Sequence, residues 1–460
     1  MRPKVTIYIT CHNYGKYFKT AFNSVKNQIF DDWELIIIDD FSQDNSVSII
    51  NDLTKNSNKN ITKIFNNENK GLAYCANIAL KHAKGEYIIR LDADDYLDEA
   101  ALLVMAKYLD ANQDIALVYP NYYYVNEEGN FLGLERRKII GKEVEVLDLP
   151  AHGACTMVRK RILKSIGGYS TEFKAQDGHE IWLNICNRYK VSNINTPLFY
   201  YRRHNLSITQ DDSLLLDARK KIKRNIVKNK NFKSIAIIQA KNTYEDNPDI
   251  CFEKIGKKPL IYYSIIECIK ASTITDILVT TDDMEVIKYC NKNFPKIMTN
   301  FRPKKLSHYS TKYAEVTKAA IDFLEQEKSY HPDIISVINL HTPLRSFRDI
   351  DESVDTLILQ DVDTVISVYE DYDLHFLHGS KGLEPLNKGA LNEIRLEREA
   401  LYVDNHAVKT LWRDTLENNS LIGNKIGHIV MPYERSINFA NNFYKNIIKN
   451  KLFNVSQNKI

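Results

Sequence analysis

Gly85-Glu86-Tyr87-Ile88-Ile89-Arg90-Leu91-Asp92-Ala93-Asp94-Asp95 is the stretch that decides how this chain folds. Apolar side chains recur at Tyr87, Ile89 and Leu91, the period of two that marks a strand. Acids crowd the point where that strand stops. Buried strands of α/β proteins deliver ligands at their carboxyl ends. Carboxylates gathered there repel one another unless a cation joins them. A hard divalent ion takes oxygen ligands and keeps waters and substrate phosphates in its shell, so the pattern points to a metal–diphosphate site. The same four residues, Asp92 to Asp95, would also serve as a solvated turn and helix cap.

The upstream sequence bears on that choice. Val5-Thr6-Ile7-Tyr8-Ile9-Thr10 is a β-branched run opening into Cys11-His12-Asn13-Tyr14-Gly15, followed by an amphipathic stretch from Phe18 to Gln28. A second run, Trp33 to Ile38, ends in Asp39-Asp40-Phe41-Ser42, and a third β/α unit carries Asn69-Lys70-Gly71-Leu72 before a helix containing Asn77. Three strands of parallel type thus present polar residues at one edge of one sheet, where nucleotides bind in open α/β folds.

In this order of elements, from about Lys4 to Thr209, the chain resembles glycosyltransferase family 2, inverting nucleotide-sugar enzymes of GT-A fold. Gly167-Gly168-Tyr169, Asp177-Gly178-His179-Glu180-Ile181-Trp182-Leu183 and Tyr201-Arg202-Arg203-His204 with Ser207 resemble the family's acceptor-side half. The resemblance implies a nucleoside-diphosphate leaving group, best met by Mn²⁺ or Mg²⁺ and by groups held in place beforehand. It makes Asp94 the metal-ligating aspartate, with Asp92 nearer the ribose or a metal-bound water. Asp40 becomes the base-reading carboxylate, walled by Thr10 and His12, with Asn13 and Lys70 completing the nucleotide site. His204 either completes the metal shell, contacts the diphosphate, or is an ordinary surface histidine.

An attacking hydroxyl also needs a general base. The family often carries Glu-Asp before its Trp-Leu helix; here Gly178 stands in the aspartate's place, which shifts the role to Asp177, with Glu180 its rival. Both acids would equally serve to cap that helix.

Composition bounds the rest. A chain of 460 residues with 44% hydrophobic and 26% charged residues is ordinary for globular domains, and a net charge of +3 is too mild to imply nucleic acid. Seven cysteines lack metal-ligand spacing, and no apolar run is long enough to cross a bilayer. The expected location is cytoplasmic. The run Arg219 to Lys230 would form a basic helix, read either as a linker with a solvated face or as a peripheral contact with the inner face of the membrane beside a lipid-linked acceptor.

After this run the chain begins again with Lys233 to Ala240, and Asp276 to Asp283 repeats the theme of strand then acid. Further strands are expected at 334–338 and 364–368. The reading is two tandem nucleotide-binding-type α/β domains, 1–212 and 232–460, joined by a basic linker helix at 213–231.

The second half resembles the CMP-sugar synthetases, a cytidylyltransferase family, on Ile237 to Lys241, Lys258-Pro259-Leu260-Ile261, Thr280 to Asp283, Arg302-Pro303, Thr342 to Arg345, Asp363 to Val368 and Asn405-His406-Ala407. It implies Lys241, Asp282, Arg302 and Arg345 as ligand contacts and association into a homodimer. The departures matter more. Glu245 and Ile250 stand where the family has lysines that meet CTP, and Ser436-Ile437-Asn438-Phe439-Ala440 lacks its metal-holding aspartates. Acids there would oppose a triphosphate. The expectation is one transferase acting from a nucleotide-sugar donor, UDP-sugars foremost, on a glycan, lipid-linked or protein acceptor, with a degenerate second domain. A bifunctional enzyme that also makes a CMP-sugar, and a scaffold in a glycan assembly complex, are the alternatives.

Overall fold

The computed structural model describes residues 2–457 except 56, 58, 146–150, 173–176, 205–211, 229–230, 243–248, 309, 381, 387–390, 392 and 396. The chain forms two α/β units that are not contiguous in sequence. The first gathers Met1–Ile222 with a distant piece, Asp373–Glu399; the second gathers Lys223–Tyr372 and Ala400–Ile460. An uninterrupted division at 212 and 232 therefore misses the excursion at 373–399, whose strands of four residues are too short to give a periodic signal.

In the first unit, β1 (Val5–Cys11), α1 (Gly15–Lys26), β2 (Trp33–Asp39), α2 (Ser46–Thr54), β3 (Ile61–Phe65), α3 (Leu72–His82) and β4 (Tyr87–Asp92) make a run of parallel β/α units. β5 (Tyr96–Leu97), α4 (Ala101–Ala111), β6 (Ile115–Val125), β7 (Phe131–Glu135), β8 (Met157–Arg159), α5 (Lys160–Ser165), α6 (Asp177–Cys186), β9 (Lys190–Arg202) and the start of α7 (Asp212–Val227) follow. The sheet runs β3-β2-β1-β4-β8-β6-β9-β5, with β7 pairing β6. Every residue of β1 and β2 is buried, as expected of central parallel strands covered on both faces. Val5, Ile7 and Ile9 meet Phe18, Ala21, Phe22 and Val25 of α1 in one core. Each such fully buried side chain contributes about 1.5–3 kcal/mol.

Gly168 shows how the backbone fixes the segment that leads to α6. Gly167 and Gly168 both take positive φ, 90° and 79°, and a Cβ on Gly168 would lie 2.5 Å from Asn77 Oδ1. That approach lets the Asn77 amide hold the Tyr169 backbone at both N–H and carbonyl (2.9 and 2.7 Å).

The second unit contains β10 (Ser234–Ala240), β11 (Lys254–Ile255), β12 (Lys258–Pro259), α8 (Leu260–Lys270), β13 (Asp276–Thr281), α9 (Met284–Asn293), β14 (Met298–Phe301), α10 (Tyr313–Glu327), β15 (Ile334–Ile338), α11 (Phe347–Gln360) and β16 (Thr364–Asp371). After the excursion, with β17 (Phe376–Gly379) and β18 (Gly382–Pro385), come β19 (Leu401–Trp412), β20 (Ile426–Val430) and α12 (Asn442–Gln457). Its sheet order is β14-β13-β10-β15-β19-β16-β20. β10 is buried on both faces: Ile235 and Ile237 belong with Ile321 and Leu324 of α10, Ala236 and Ile238 with Leu260, Ile261 and Ile265 of α8.

Part of the basic run is paired within the second unit: Lys223 Nζ lies 2.8 Å from Glu352 and 3.0 Å from Thr356, and Arg224 lies 2.9 Å from Asp355, all on α11. Lys221 and Lys228 are exposed; Asn229 and Lys230, at the end of the run, lie outside the described residues. No helix among the described residues is long and apolar enough to cross a membrane.

Candidate active site

The ends of β1, β2, β4 and β9 bring the expected residues of the first unit to one edge of the sheet. Asp40, just past β2 and 5% exposed, is the most fully held. Its Oδ1 accepts from Asn66 Nδ2 (2.8 Å) and the Lys70 N–H (2.9 Å), and its Oδ2 from the Gly71 N–H (2.8 Å). Gly71 makes this possible with φ of 85°, a conformation that side chains disfavour. Lys70 thus contributes its backbone, while its ammonium pairs with Glu68.

His12 sits over the same loop. Its Nδ1 is 2.7 Å from the Asp40 carbonyl, which can only accept, so Nδ1 carries the proton and Nε2 accepts from the Asn13 or Asn69 amide at 3.2 and 3.1 Å. Asn13 holds φ of 61°. Its N–H and Oδ1 tie it to Ser42 and Gln43.

The three acids Asp92, Asp94 and Asp95 are each engaged by a different partner. Asp92 is clasped by Arg90, Nε to Oδ1 at 2.7 Å and Nη2 to Oδ2 at 2.8 Å, and takes the Thr10 hydroxyl at 3.2 Å. Burial alone would raise its pKa, but the Arg90 charge and hydrogen bonds outweigh it and hold the carboxyl below its ordinary value. Asp95 is 1% exposed and accepts the Arg202 N–H at 2.8 Å. Burial, then the charges of Asp94 and Asp92, push its carboxyl well up, which favours the neutral form. Asp94 faces His204, with Oδ2 3.0 Å from Nε2. His204 in turn stacks on Tyr17 at 5.3 Å and meets the edge of Tyr14 at 5.6 Å, so it is a built part of the site and not an ordinary surface histidine.

Both oxygens of Asp92 are engaged by Arg90, whereas Asp94 is paired with His204. Among the described residues no three His, Cys, Asp or Glu side chains converge.

The acceptor side is partly described. Asp177 opens α6, but its side chain lies outside the described residues, as does Ser207. Glu180 is buried and accepts the Ser170 N–H at 3.0 Å, so its carboxylate anchors the turn before the helix. Gly178 has a steric reason: a Cβ there would sit 2.8 Å from Gly153 Cα. Behind Asp92, Tyr8, Arg90, His152, Tyr169 and Trp182 line a cavity of about 20 Å³, room for one water. Burial pushes the His152 imidazole down to about 4.

Sequence reasoning missed Arg90, Asn66, Tyr17 and His152. Arg90 was readable, because two residues apart on a strand share a face. His152 comes from a loop with no periodic signal.

In the second unit, Asp282 accepts the Asn242 N–H at 3.0 Å, and Arg302 donates to Ser307 at 3.0 Å. Lys241 follows β10, its carbonyl accepting from Cys251 Sγ at 3.5 Å. Arg345 is 2% exposed; its Nη1 donates to the carbonyls of Asn339, Thr342 and Ala407, while its Nε and Nη2 are buried without a hydrogen bond among the described residues. Glu245 lies outside the described residues.

A family model, Glycosyl transferase family 2, matches residues 6–167. An uncharacterized glycosyltransferase of Methanocaldococcus jannaschii is 30% identical over 207 residues, covering 44% of this chain and 71% of that one. The chain belongs to glycosyl transferase family 2. It is a glycosyltransferase. Chondroitin synthase of Pasteurella multocida is 35% identical over 130 residues, 28% of this chain and 13% of that one, so this glycosyltransferase spans about an eighth of that relative's length. Among solved structures, S. aureus TarS 1–349 in complex with UDP-GlcNAc is 18% identical, with a TM-score of 0.41 over 49% of this chain and 65% of that one. In this family member, Asp40, Asp92 and Asp94 fall within the matched residues, and Asp177 and His204 fall beyond them.

Proposed function

We propose that this glycosyltransferase moves a sugar, with inversion, from a nucleoside-diphosphate sugar to a hydroxyl of a surface-glycan or glycoconjugate acceptor. UDP-sugars are the first donors to try, because Asp40 is a fixed carboxylate whose Oδ2 takes one of the three bonds described and has room for a second donor, such as the N–H of a uracil ring. The observation that carries the reading is the grouping of Asp40, Asp92 and the Asp94–His204 pair at one sheet edge, each acid compensated before any ligand arrives.

Asp94 and His204 fit a divalent metal: a carboxylate oxygen and an imidazole nitrogen lie 3.0 Å apart, and Mg²⁺ or Mn²⁺ needs only one or two protein ligands when substrate phosphates and waters supply the rest. When bound, the metal neutralises charge developing on the departing diphosphate. Asp92, held by Arg90, accepts from a ribose hydroxyl. Asp177 takes the acceptor's proton as its oxygen bonds to the anomeric carbon opposite the breaking bond to phosphate. The second unit is a cytidylyltransferase-like domain without its chemistry, contributing folded surface and association, including a homodimer.

The test is hydrolysis and transfer across a panel of UDP-, GDP-, dTDP- and CMP-sugars with Mn²⁺, with and without EDTA. Turnover of a UDP-sugar that chelator abolishes is expected. Full activity in EDTA overturns the metal, and turnover of CMP-sugars alone overturns the donor class.

A further inference from the structure

The excursion Asp373–Glu399 belongs with the first unit although it arises between β16 and β19 of the second. It begins as the hairpin of β17 and β18, closed at its base by the Leu386 N–H on the His375 carbonyl at 2.8 Å. Its far end meets β7. That strand pairs with β6 through Tyr122↔Glu135, Tyr123↔Leu134 and Tyr124↔Gly133. Unpaired backbone on such an edge strand needs a cover.

Glu397 supplies one. Its Oε1 accepts the Leu134 N–H at 2.9 Å. Gly133 makes room for this approach, since a Cβ there would stand 2.9 Å from Glu397 Cγ and 3.1 Å from its Oε1. A few residues on, Lys138 Nζ lies 3.2 Å from Glu399 Oε2. One backbone hydrogen bond to a carboxylate, one steric fit and one ion pair thus act on a single short stretch.

The strand so held is coupled to the site. Glu135, next to Leu134, accepts the Tyr124 hydroxyl at 3.1 Å. The Tyr124 ring meets Tyr201 at 6.0 Å, and Tyr201 meets His152 at 4.7 Å. His152 lines the cavity behind Arg90, the residue that clasps Asp92.

We propose that the described residues of 373–399 are a working part of the transferase unit: a strap whose Glu397 carboxylate fixes the outer edge of β7 and, through Glu135, Tyr124 and Tyr201, the aromatic wall around His152. Glu397 is a positioning residue, remote from the reacting atoms. The second half of the sequence then serves transfer by lending the first unit this segment, with no chemistry of its own required.

The test uses the full chain. Glu397→Ala removes the acceptor oxygen and Gly133→Val evicts the side chain from the other side. A hydrogen bond to a charged group holds its N–H against opening, so amide exchange in peptides covering 131–135 should rise about tenfold or more in both. A smaller rise is expected at 151–157, none at 5–11 or 87–92, and recovery in Glu397→Gln, which keeps an oxygen in place. Carbodiimide treatment of the unsubstituted chain should join Lys138 to Glu399 within one molecule, a readout that needs no variant to fold. Turnover of the active donor should fall in the same two variants; only this arm rests on the proposed transfer. Unchanged exchange at 131–135, or no Lys138–Glu399 link, overturns the strap. Raised exchange at 131–135 with 151–157 and turnover untouched overturns its coupling to the site.

Discussion

Strand ends in both units carry paired acids after a β-branched run, and the two units use them in opposite ways. In the first unit Asp40, Asp92 and Asp94 are held by donors around their rims, and the group faces a common edge. In the second, Asn242 consumes the acids within the loop. Its N–H goes to Asp282 at 3.0 Å, and its side-chain amide reaches Asp283 at 2.6 Å and Asp249 at 3.2 Å. Its Oδ1 takes the Cys251 N–H at 2.8 Å. The difference teaches that a strand followed by acids is a scaffold feature; whether it is a site depends on what satisfies the acids.

The sharpest way to break this contrast is to substitute matching acids. Asp94→Asn should reduce transfer by about 10²–10³-fold or more, since one preorganised electrostatic contact commonly carries that much. Asp283→Asn should leave transfer unchanged. Equal losses in the two variants, measured as initial rates at saturating donor, would erase the distinction.

The acceptor side gives the next largest effect. Asp177→Asn should lower kcat by about 10²–10⁴-fold with donor binding intact, the signature of a lost general base. Glu180→Gln should act mainly on stability, because its carboxylate anchors the Ser170 N–H. The reverse ranking moves the base to Glu180.

Arg90 sharpens the contrast from within the first unit. Without the guanidinium, Asp92 keeps only the Thr10 hydroxyl among its described partners. Arg90→Met should therefore raise the donor KM roughly tenfold, the equivalent of about 1.4 kcal/mol, with a smaller change in kcat. A pure loss of kcat at unaltered KM would assign Arg90 to chemistry instead of placement.

How much of this was legible follows from the kind of signal each residue sends. The runs at 5–10, 33–38, 87–91, 235–238, 277–281 and 334–338 form strands because β-branched residues buried on both faces leave little alternative. Asp40 and Asp94 were readable as strand-end acids. The division of labour among the three acids after β4 was not, since it depends on Arg90 being near Asp92, His204 near Asp94, and Asp95 being sealed from water. Glu397 on Leu134 joins residues 263 apart in sequence, a contact no local pattern encodes.

Two buried groups, one in each unit, respond to acid with opposite sign. His152 titrates near 4 in the fold, lowered by burial, against about 6.5 unfolded. The unfolded chain binds more protons in that window, so this stability is present above pH 6.5 and is lost as pH falls towards 4. Asp355 in the second unit is raised to about 7, by burial first and against the pull of Arg224. Its contribution is full below its unfolded pKa near 3.9 and is lost as pH rises towards 7. Burial lowers His341 of the same unit to about 4 as well, so single variants are needed. From pH 7 to pH 5, His152→Phe should soften the fall in Tm and Asp355→Asn should steepen it, each by a few degrees for about 1–2 kcal/mol. Calorimetric profiles parallel to the unsubstituted chain in both variants would discard the assignment.

The smallest expected effect is none at all, and it bears hardest on the comparison. A domain that activates CTP must present positive charge and free backbone N–H groups to three phosphates and oxygen ligands to their metal. Here Ile250, where the proposed cytidylyltransferase likeness calls for a lysine, is 3% exposed and packed in the core. Asn438, where the same likeness calls for an aspartate, accepts the Ala440 N–H at 2.8 Å and closes its own turn. Asn242 has already engaged the neighbouring acids. The full chain should release no pyrophosphate from CTP with any of several nonulosonic acids, and Lys241→Ala should change neither that result nor sugar transfer. CTP-dependent pyrophosphate release that Lys241→Ala abolishes would show that the loop opens, and that strand ends of both units, not one unit alone, are sites.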